Sequence, residues 1–205
     1  MEQFIKVLKS YKRMTPGLEG CLLRNVHSMV LRRQDVINTA CYPGNQLYFI
    51  EKGLFRNYLY NSREERVTCS FRKENDFILT LPVTMYGPYE SYRGYEALED
   101  SLVWVFTIDL VKHLMDNYTC FMEQYSAIMG KGMIQLDDSF RFDHMDPRER
   151  YRHLRQQSPD LLERVPIDIM ASYIGVSAKM FGHLQRSRIQ LYLSVDRRRR
   201  NRRDP

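Results

Sequence analysis

The spacing of apolar residues changes once along this chain, near residue 109, and that change limits the fold more than any other feature of the sequence. Upstream, from about 28 to 108, short apolar runs alternate with turn signals. Val67, Cys69 and Phe71 alternate with Arg66, Thr68 and Ser70, the two-residue period of a half-buried strand. Leu47-Tyr48-Phe49-Ile50 and the run from Leu54 to Tyr60 flank Glu51-Lys52-Gly53, and the polar stretch 61–65 supplies the next turn. Short strands at this spacing predict a sandwich or jelly roll rather than a parallel α/β sheet. Downstream, Met115, Met122, Met129 and Leu136 recur every seven residues. Tyr118, Tyr125 and Gly132 follow three behind the first three, with Leu114, Phe121 and Ile128 alongside. This predicts a helix over about 110–138, interrupted at Gly130 and Gly132, whose stripe pairs with a second copy of itself. Packing on its own domain is the alternative.

Charge divides the chain in the same sense. Residues 1–140 carry 16 Lys and Arg against 17 Asp and Glu, residues 141–205 carry 15 against 8, and the net +6 therefore comes from the last third. A near-neutral front and a basic back suggest a second domain facing a polyanion, with the arginine run at 197–203 as part of it. The longest unbroken apolar stretch, Leu102 to Phe106, is far shorter than the roughly 20 residues of a membrane span, and the first residues lack a signal-peptide core. A cytoplasmic protein without membrane contact is expected. Cys21, Cys41, Cys69 and Cys120 form no C-x-x-C pair, so zinc-ribbon and redox-dithiol chemistry have no support. The five histidines are scattered, with none between 28 and 112, and neither a nucleophile elbow nor a Gly-rich phosphate loop is present. The expectation is therefore no enzyme, no metal and no bound cofactor.

Residues 167–186 fit a helix-turn-helix position by position. Gly175 takes the turn, Ala171 is the small residue where the two helices cross, and Met170, Ile174, Val176, Phe181 and Leu184 fall at core positions. Ser177, Ala178, Lys179, Gly182, His183 and Arg186 are left on the outer face of the second helix, with Ser177 as its cap. Helix starts are expected at Asp146-Pro147, Ser158-Pro159 and Val165-Pro166.

These segments resemble those of the Crp/Fnr transcription regulators over nearly the whole chain. Residues 47–53 look like that family's β-roll segment ending in a turn glycine, and Asn75-Asp76-Phe77-Ile78 stands where members carry Gly-Asp-Phe or Gly-Glu-Leu. Residues 95–100 resemble the strand that closes the roll, and Arg164 through Ser177 the DNA-reading motif. The resemblance implies an α+β fold in three parts. They are a cyclic-nucleotide-binding-type β-roll (jelly roll) over 1–108, a long dimerisation helix over 109–144, and a winged-helix-like helix-turn-helix domain over 145–205. It also implies double-stranded DNA, a second copy and RNA polymerase as partners. The dimer seam is Met115, Tyr118, Met122, Tyr125, Met129 and Leu136. The DNA contacts are Ser177, Ala178, Lys179, His183, Arg186 and Arg188.

Two departures qualify the likeness. The effector pocket corresponds to Asn75, Asp76, Tyr89, Ser91, Tyr92 and Arg93, where Asn75-Asp76 and Ser91-Tyr92 replace the pairs with which cyclic-nucleotide binders hold the phosphate. A buried anionic nucleotide without a guanidinium clamp loses several kcal/mol, so cyclic AMP is not the expected effector. Tyr86, Tyr89, Tyr92 and Tyr95 could line a pocket for an unknown flat or apolar effector, or fill a disused one. In the second helix, Ala178, Lys179 and His183 replace the family's best-known readers, and residues 189–195 lack the turn signal of a hairpin wing. A regulator that works through protein contacts with a degenerate helix-turn-helix is the rival reading.

Overall fold

A computed structural model of the chain describes residues 1–38, 46–79 and 93–186. It divides into two compact units, Met1–Phe140 and Arg141–Pro205.

The first unit opens with two helices that the strand pattern does not announce, α1 (Glu2–Tyr11) and α2 (Pro16–Asn25). Phe4, Ile5 and Leu8 give α1 one buried face. In α2, Pro16 occupies the first turn and Thr15 caps it, its side-chain oxygen accepting the Leu18 N–H. Eight strands follow: β1 (His27–Leu31), β2 (Val36–Asn38), β3 (Gln46–Lys52), β4 (Phe55–Tyr60), β5 (Arg66–Arg72), β6 (Phe77–Leu79), β7 (Arg93–Ala97) and β8 (Ser101–Thr107). They form two antiparallel four-stranded sheets, β1-β8-β3-β6 and β2-β7-β4-β5, the roll expected from the sequence, with neither sheet closed on itself.

The first sheet is covered on both faces along β3 and β8, while its edge strand β1 is largely exposed. Tyr48, Ile50, Ile78, Val103 and Val105 pack toward the second sheet, against Ile37, Phe55, Tyr95 and Ala97. On the other face Leu47, Phe49, Phe77 and Phe106 pack under the helices, with the Phe4 ring 5.2 Å from Phe49 and 5.0 Å from Phe106. A strand covered on both sides reads as an unbroken apolar run, which is why 47–50 and 102–106 do not alternate. The second sheet turns a charged face outward. There the Glu96 carboxylate accepts from Arg56 at 2.6 Å and Arg66 at 3.0 Å, and both guanidiniums lie over the Tyr58 ring. Burial pushes the Tyr58 hydroxyl up to about 12.

In β5 the expected alternation does not hold, and Cys69 and Phe71 are only half-buried. Thr68 and Ser70 are the buried set, while Val67 is exposed. Ser70 lies opposite Asn57, which in turn lies opposite the inward-facing Tyr95. The β4–β5 register shifts between Asn57 and Tyr58, so β5 carries an extra residue there.

The helical stretch also differs from the expected single seam. Helix α3 (Ile108–Asn117) ends at Tyr118, whose backbone is extended (φ −136°, ψ 97°), and α4 (Thr119–Asp143) starts afresh. Met115 and Tyr118 thus do not continue the stripe of α4. The glycines expected to interrupt the helix do not, since α4 runs through Gly130 and Gly132 for 25 residues.

In the second unit, α5 (Pro147–Gln157) begins with a reciprocal cap in which Asp146 and Glu149 each accept the other's backbone N–H. Then come α6 (Pro159–Arg164), α7 (Ile167–Ile174) and a helix α8 described over 178–186. All three starts marked by proline in the sequence are helix starts. Phe142, Tyr151, Leu154, Leu161, Val165, Met170, Ala171, Ile174 and Phe181 are buried among these helices.

Candidate nucleic-acid interface

Helix α7 ends because Gly175 adopts a left-handed backbone, φ +86°. The Gly175 and Val176 N–H groups both return to the Ala171 carbonyl, at 3.0 and 2.9 Å, and this closes the turn tightly. Ser177 then caps α8, its Oγ accepting the Met180 N–H at 3.3 Å. Met170, Ala171, Ile174 and Phe181 are buried, as the core positions require, with Val176 and Leu184 half-buried. Phe181 holds α8 down through an edge-on contact with Tyr151, ring centroids 5.9 Å apart.

With that face anchored, the opposite face of α8 is exposed among the described residues. Ser177, Ala178, Lys179, His183 and Arg186 are all exposed, and Lys179 and His183 stand four residues apart on one side. Arg186 folds back, its Nε donating to the Gly182 carbonyl at 3.1 Å. Met180 shares the exposed surface at 46% exposure, a residue the sequence pattern leaves unassigned because methionine ordinarily reads as core. Arg188, the 189–195 segment and the arginines at 197–203 lie outside the described residues. An exposed helix bearing a lysine, a histidine and a capped N-terminus can present donors both to base edges and to phosphate.

Of the residues assigned to an effector pocket, Tyr86, Tyr89, Ser91 and Tyr92 also lie outside the described residues, and Arg93 opens β7. Tyr95 is part of the core between the sheets. Asn75 and Asp76 form a turn held from two helices. The Asn75 side-chain oxygen accepts from Gln3 of α1 at 2.9 Å, and Asp76 accepts from Lys131 at 2.8 Å and Gln135 at 3.1 Å, both on α4. Asn75 itself has φ +69°, a conformation asparagine tolerates better than most residues.

The six seam residues separate. Met115, Tyr118 and Tyr125 are half-buried against the unit's own core, beside fully buried Phe121 and Ile128. Met122 is 47% exposed, Leu136 42%, and Met129 is half-buried. The exposed ridge continues through Met133 (65%) and Phe140 (60%), which were missed. They lie four residues after Met129 and Leu136, so testing the four-residue step as well as the three-residue step would have found them.

Among the described residues no three His, Cys, Asp or Glu side chains gather as a metal would require, and no helix is long and apolar enough to cross a membrane.

No family model and no curated protein matches the sequence. Solved structures do match. FixK2 of Bradyrhizobium japonicum superposes with a TM-score of 0.65 at 15% identity, covering 82% of this chain and 85% of that one. The c-di-GMP responsive global regulator CLP of Xanthomonas campestris gives 0.64 at 14% identity, covering 89% and 93%. A protein from Eubacterium rectale assigned to the transcriptional regulators of the Crp/Fnr family gives 0.62 at 12%, covering 89% and 85%. The chain has the Crp/Fnr fold. At these identities the likeness speaks for architecture alone.

Proposed function

We propose that this chain is a sequence-specific DNA-binding transcription regulator of the Crp/Fnr type, cytoplasmic and without enzymatic activity, that acts as a homodimer alongside RNA polymerase. The observation that carries it is the exposed face of α8, where Ser177, Lys179 and His183 project from a helix anchored by Phe181. Lys179 and His183 enter the major groove, and Ser177 and Arg186, with Arg188 and the arginines of 197–203, contact the backbone. The protomers pair along Met122, Met129, Met133, Leu136 and Phe140 of α4, which fall at the two apolar positions of successive heptads. The plan is a sensing roll over 1–108, a dimerisation helix over 109–144 and a reading domain over 145–205.

Selection from randomised duplexes tests the reading. The wild-type protein should enrich a two-fold symmetric site, and Lys179→Ala should relax preference at one base pair per half-site, by about 1–3 kcal/mol, while nonspecific binding stays. If no symmetric site is enriched, the protein-contact reading replaces this one. The chain does not answer to cyclic AMP, because Ser91 and Tyr92 supply no bidentate clamp for its phosphate. Calorimetric titration giving a micromolar dissociation constant for cyclic AMP would overturn that statement.

A further inference from the structure

A helix leaves its last four carbonyls without partners inside the helix. In α7 these belong to Ala171, Ser172, Tyr173 and Ile174. The turn satisfies the first two, since Gly175 N–H donates to Ala171 and Ser172 and Val176 N–H donates to Ala171. The other two are taken from outside the motif. Arg150, on α5, directs Nη1 at the Tyr173 carbonyl (3.3 Å) and the Ile174 carbonyl (3.5 Å). The same guanidinium serves the end of α4. Its Nη2 donates to the Asp143 carbonyl at 2.7 Å and its Nε to the Met145 carbonyl at 3.0 Å, while the Arg141 and Phe142 carbonyls are taken by the His144 and Met145 N–H groups. Beneath it lies Phe142, with the guanidinium carbon 5.4 Å from the ring centre, and Phe142 in turn stacks on Tyr173 at 4.5 Å and 12°.

One planar cation therefore closes the carbonyl ends of two helices, and both ends are the negative poles of their helix dipoles. We propose that Arg150 is the positioning residue of the DNA-reading motif, fixing the α7–Gly175–α8 turn to the segment 141–145 of the same unit, so that α8 is held from outside the helix-turn-helix as well as by it. The proposal rests on the DNA-reading assignment above. Arg150 touches no base in this role, because its guanidinium is occupied by the four carbonyls. Lysine keeps the charge but concentrates its donors at one point and cannot span both helix ends.

The test is Arg150→Lys, with Phe142→Leu, which removes the aromatic platform and keeps the arginine, as the second variant. Amide hydrogen exchange in the absence of DNA should rise at least tenfold, together, at 142–146 and at 173–176 in Arg150→Lys, while amides in the middle of α5 remain as in the wild type. In the randomised-duplex selection the half-site sequence should persist, the specific-to-nonspecific affinity ratio should fall about tenfold or more, and sites with altered half-site spacing should be accepted. A residue that merely contacts phosphate would leave exchange unchanged and flatten the salt dependence instead. Phe142→Leu should show the same pattern more weakly. The proposal is overturned if either segment loosens without the other, if the whole unit loosens equally in both variants, or if Arg150→Lys keeps wild-type spacing selectivity. Should the wild type enrich no symmetric site, the DNA-reading assignment falls, and paired loosening of the two segments still decides whether Arg150 joins them.

Discussion

Helix α4 carries apolar residues on two faces, and the fold treats them oppositely. Phe121 and Ile128 are fully buried against the roll, and Gln124 between them is sealed as well, its amide donating to the Lys12 carbonyl at 2.9 Å. Met122, Met133, Leu136 and Phe140 remain 42–65% exposed on the other side. The covered face uses a ring and a β-branched side chain, which hold one shape, and it is matched to partners in the same chain. The open face holds two methionines, whose unbranched side chains are adaptable, together with Leu136 and the ring of Phe140. Apolar content alone does not distinguish the covered face from the open one. Nor does stiffness, since Phe140 and Ile134 are exposed on α4 as well; the groups of the same chain that lie opposite do.

The contrast can be broken from either side. The largest effect is expected at Phe121, where Phe121→Ala should remove about 3–5 kcal/mol of stability, measured by urea unfolding of the full chain. Loss below ~1 kcal/mol would mean that this face is not the core face. Next, Met133→Glu combined with Phe140→Glu should leave the melting temperature of the monomer within a few degrees while turning a dimer into a monomer in sedimentation equilibrium. A wild type that is monomeric at tens of micromolar would show that the open face has another use. A smaller effect belongs to the Asp76 turn, which holds the covered side of α4 through Lys131 and Gln135. Lys131 is 41% exposed, so Asp76→Ala should cost only about 1 kcal/mol or less, diminishing further in high salt. The smallest effect is a gain. A Cβ at Gly130 would meet nothing within 4 Å, so Gly130→Ala should raise stability by about 0.5–1 kcal/mol through helix propensity. Weakened self-association in the same variant would place the partner helix against that bare stretch.

Much of this architecture is legible in the sequence because its signals are local. The three proline-marked helix starts, the turn at Gly175 and the core positions of the helix-turn-helix follow from residue type and spacing within a few positions. The runs 47–50 and 102–106 show that strands are present, yet only the structure shows that they form one sheet covered on both sides. That Thr68 and Ser70, not Val67, are the buried residues of β5 was not legible, because the strand's alternation is broken by a register shift opposite Asn57 and register belongs to the pair of strands. Nor was the break at Tyr118. The seven-residue repeat passes through it without a mark, while the extended backbone of Tyr118 separates two helices that both pack on the roll's aromatic face. Helices α1 and α2 went unread for a related reason. Phe4, Ile5 and Leu8 make a face of one turn, too short to count as periodic, and what stabilises it is contact with Phe49 and Phe106 far along the chain.

The turn between β3 and β4 bears on how a chain so far from its structural neighbours in sequence is still recognised. At Gly53 the backbone has φ +122°, and an added Cβ would lie 2.0 Å from Ser101 Oγ and 2.9 Å from Ser101 Cα. Two independent obstacles, torsional and steric, forbid every other letter at this position, whereas Gly130 meets neither. Sequence drift is then uneven by necessity, free where space is open and frozen where backbone meets backbone. In a saturation library scored for folding, position 53 should retain a single residue while position 130 accepts many. Distant members of this architecture should be found most readily by searching for such geometrically frozen letters, spaced as the roll spaces them, rather than by identity summed along the chain.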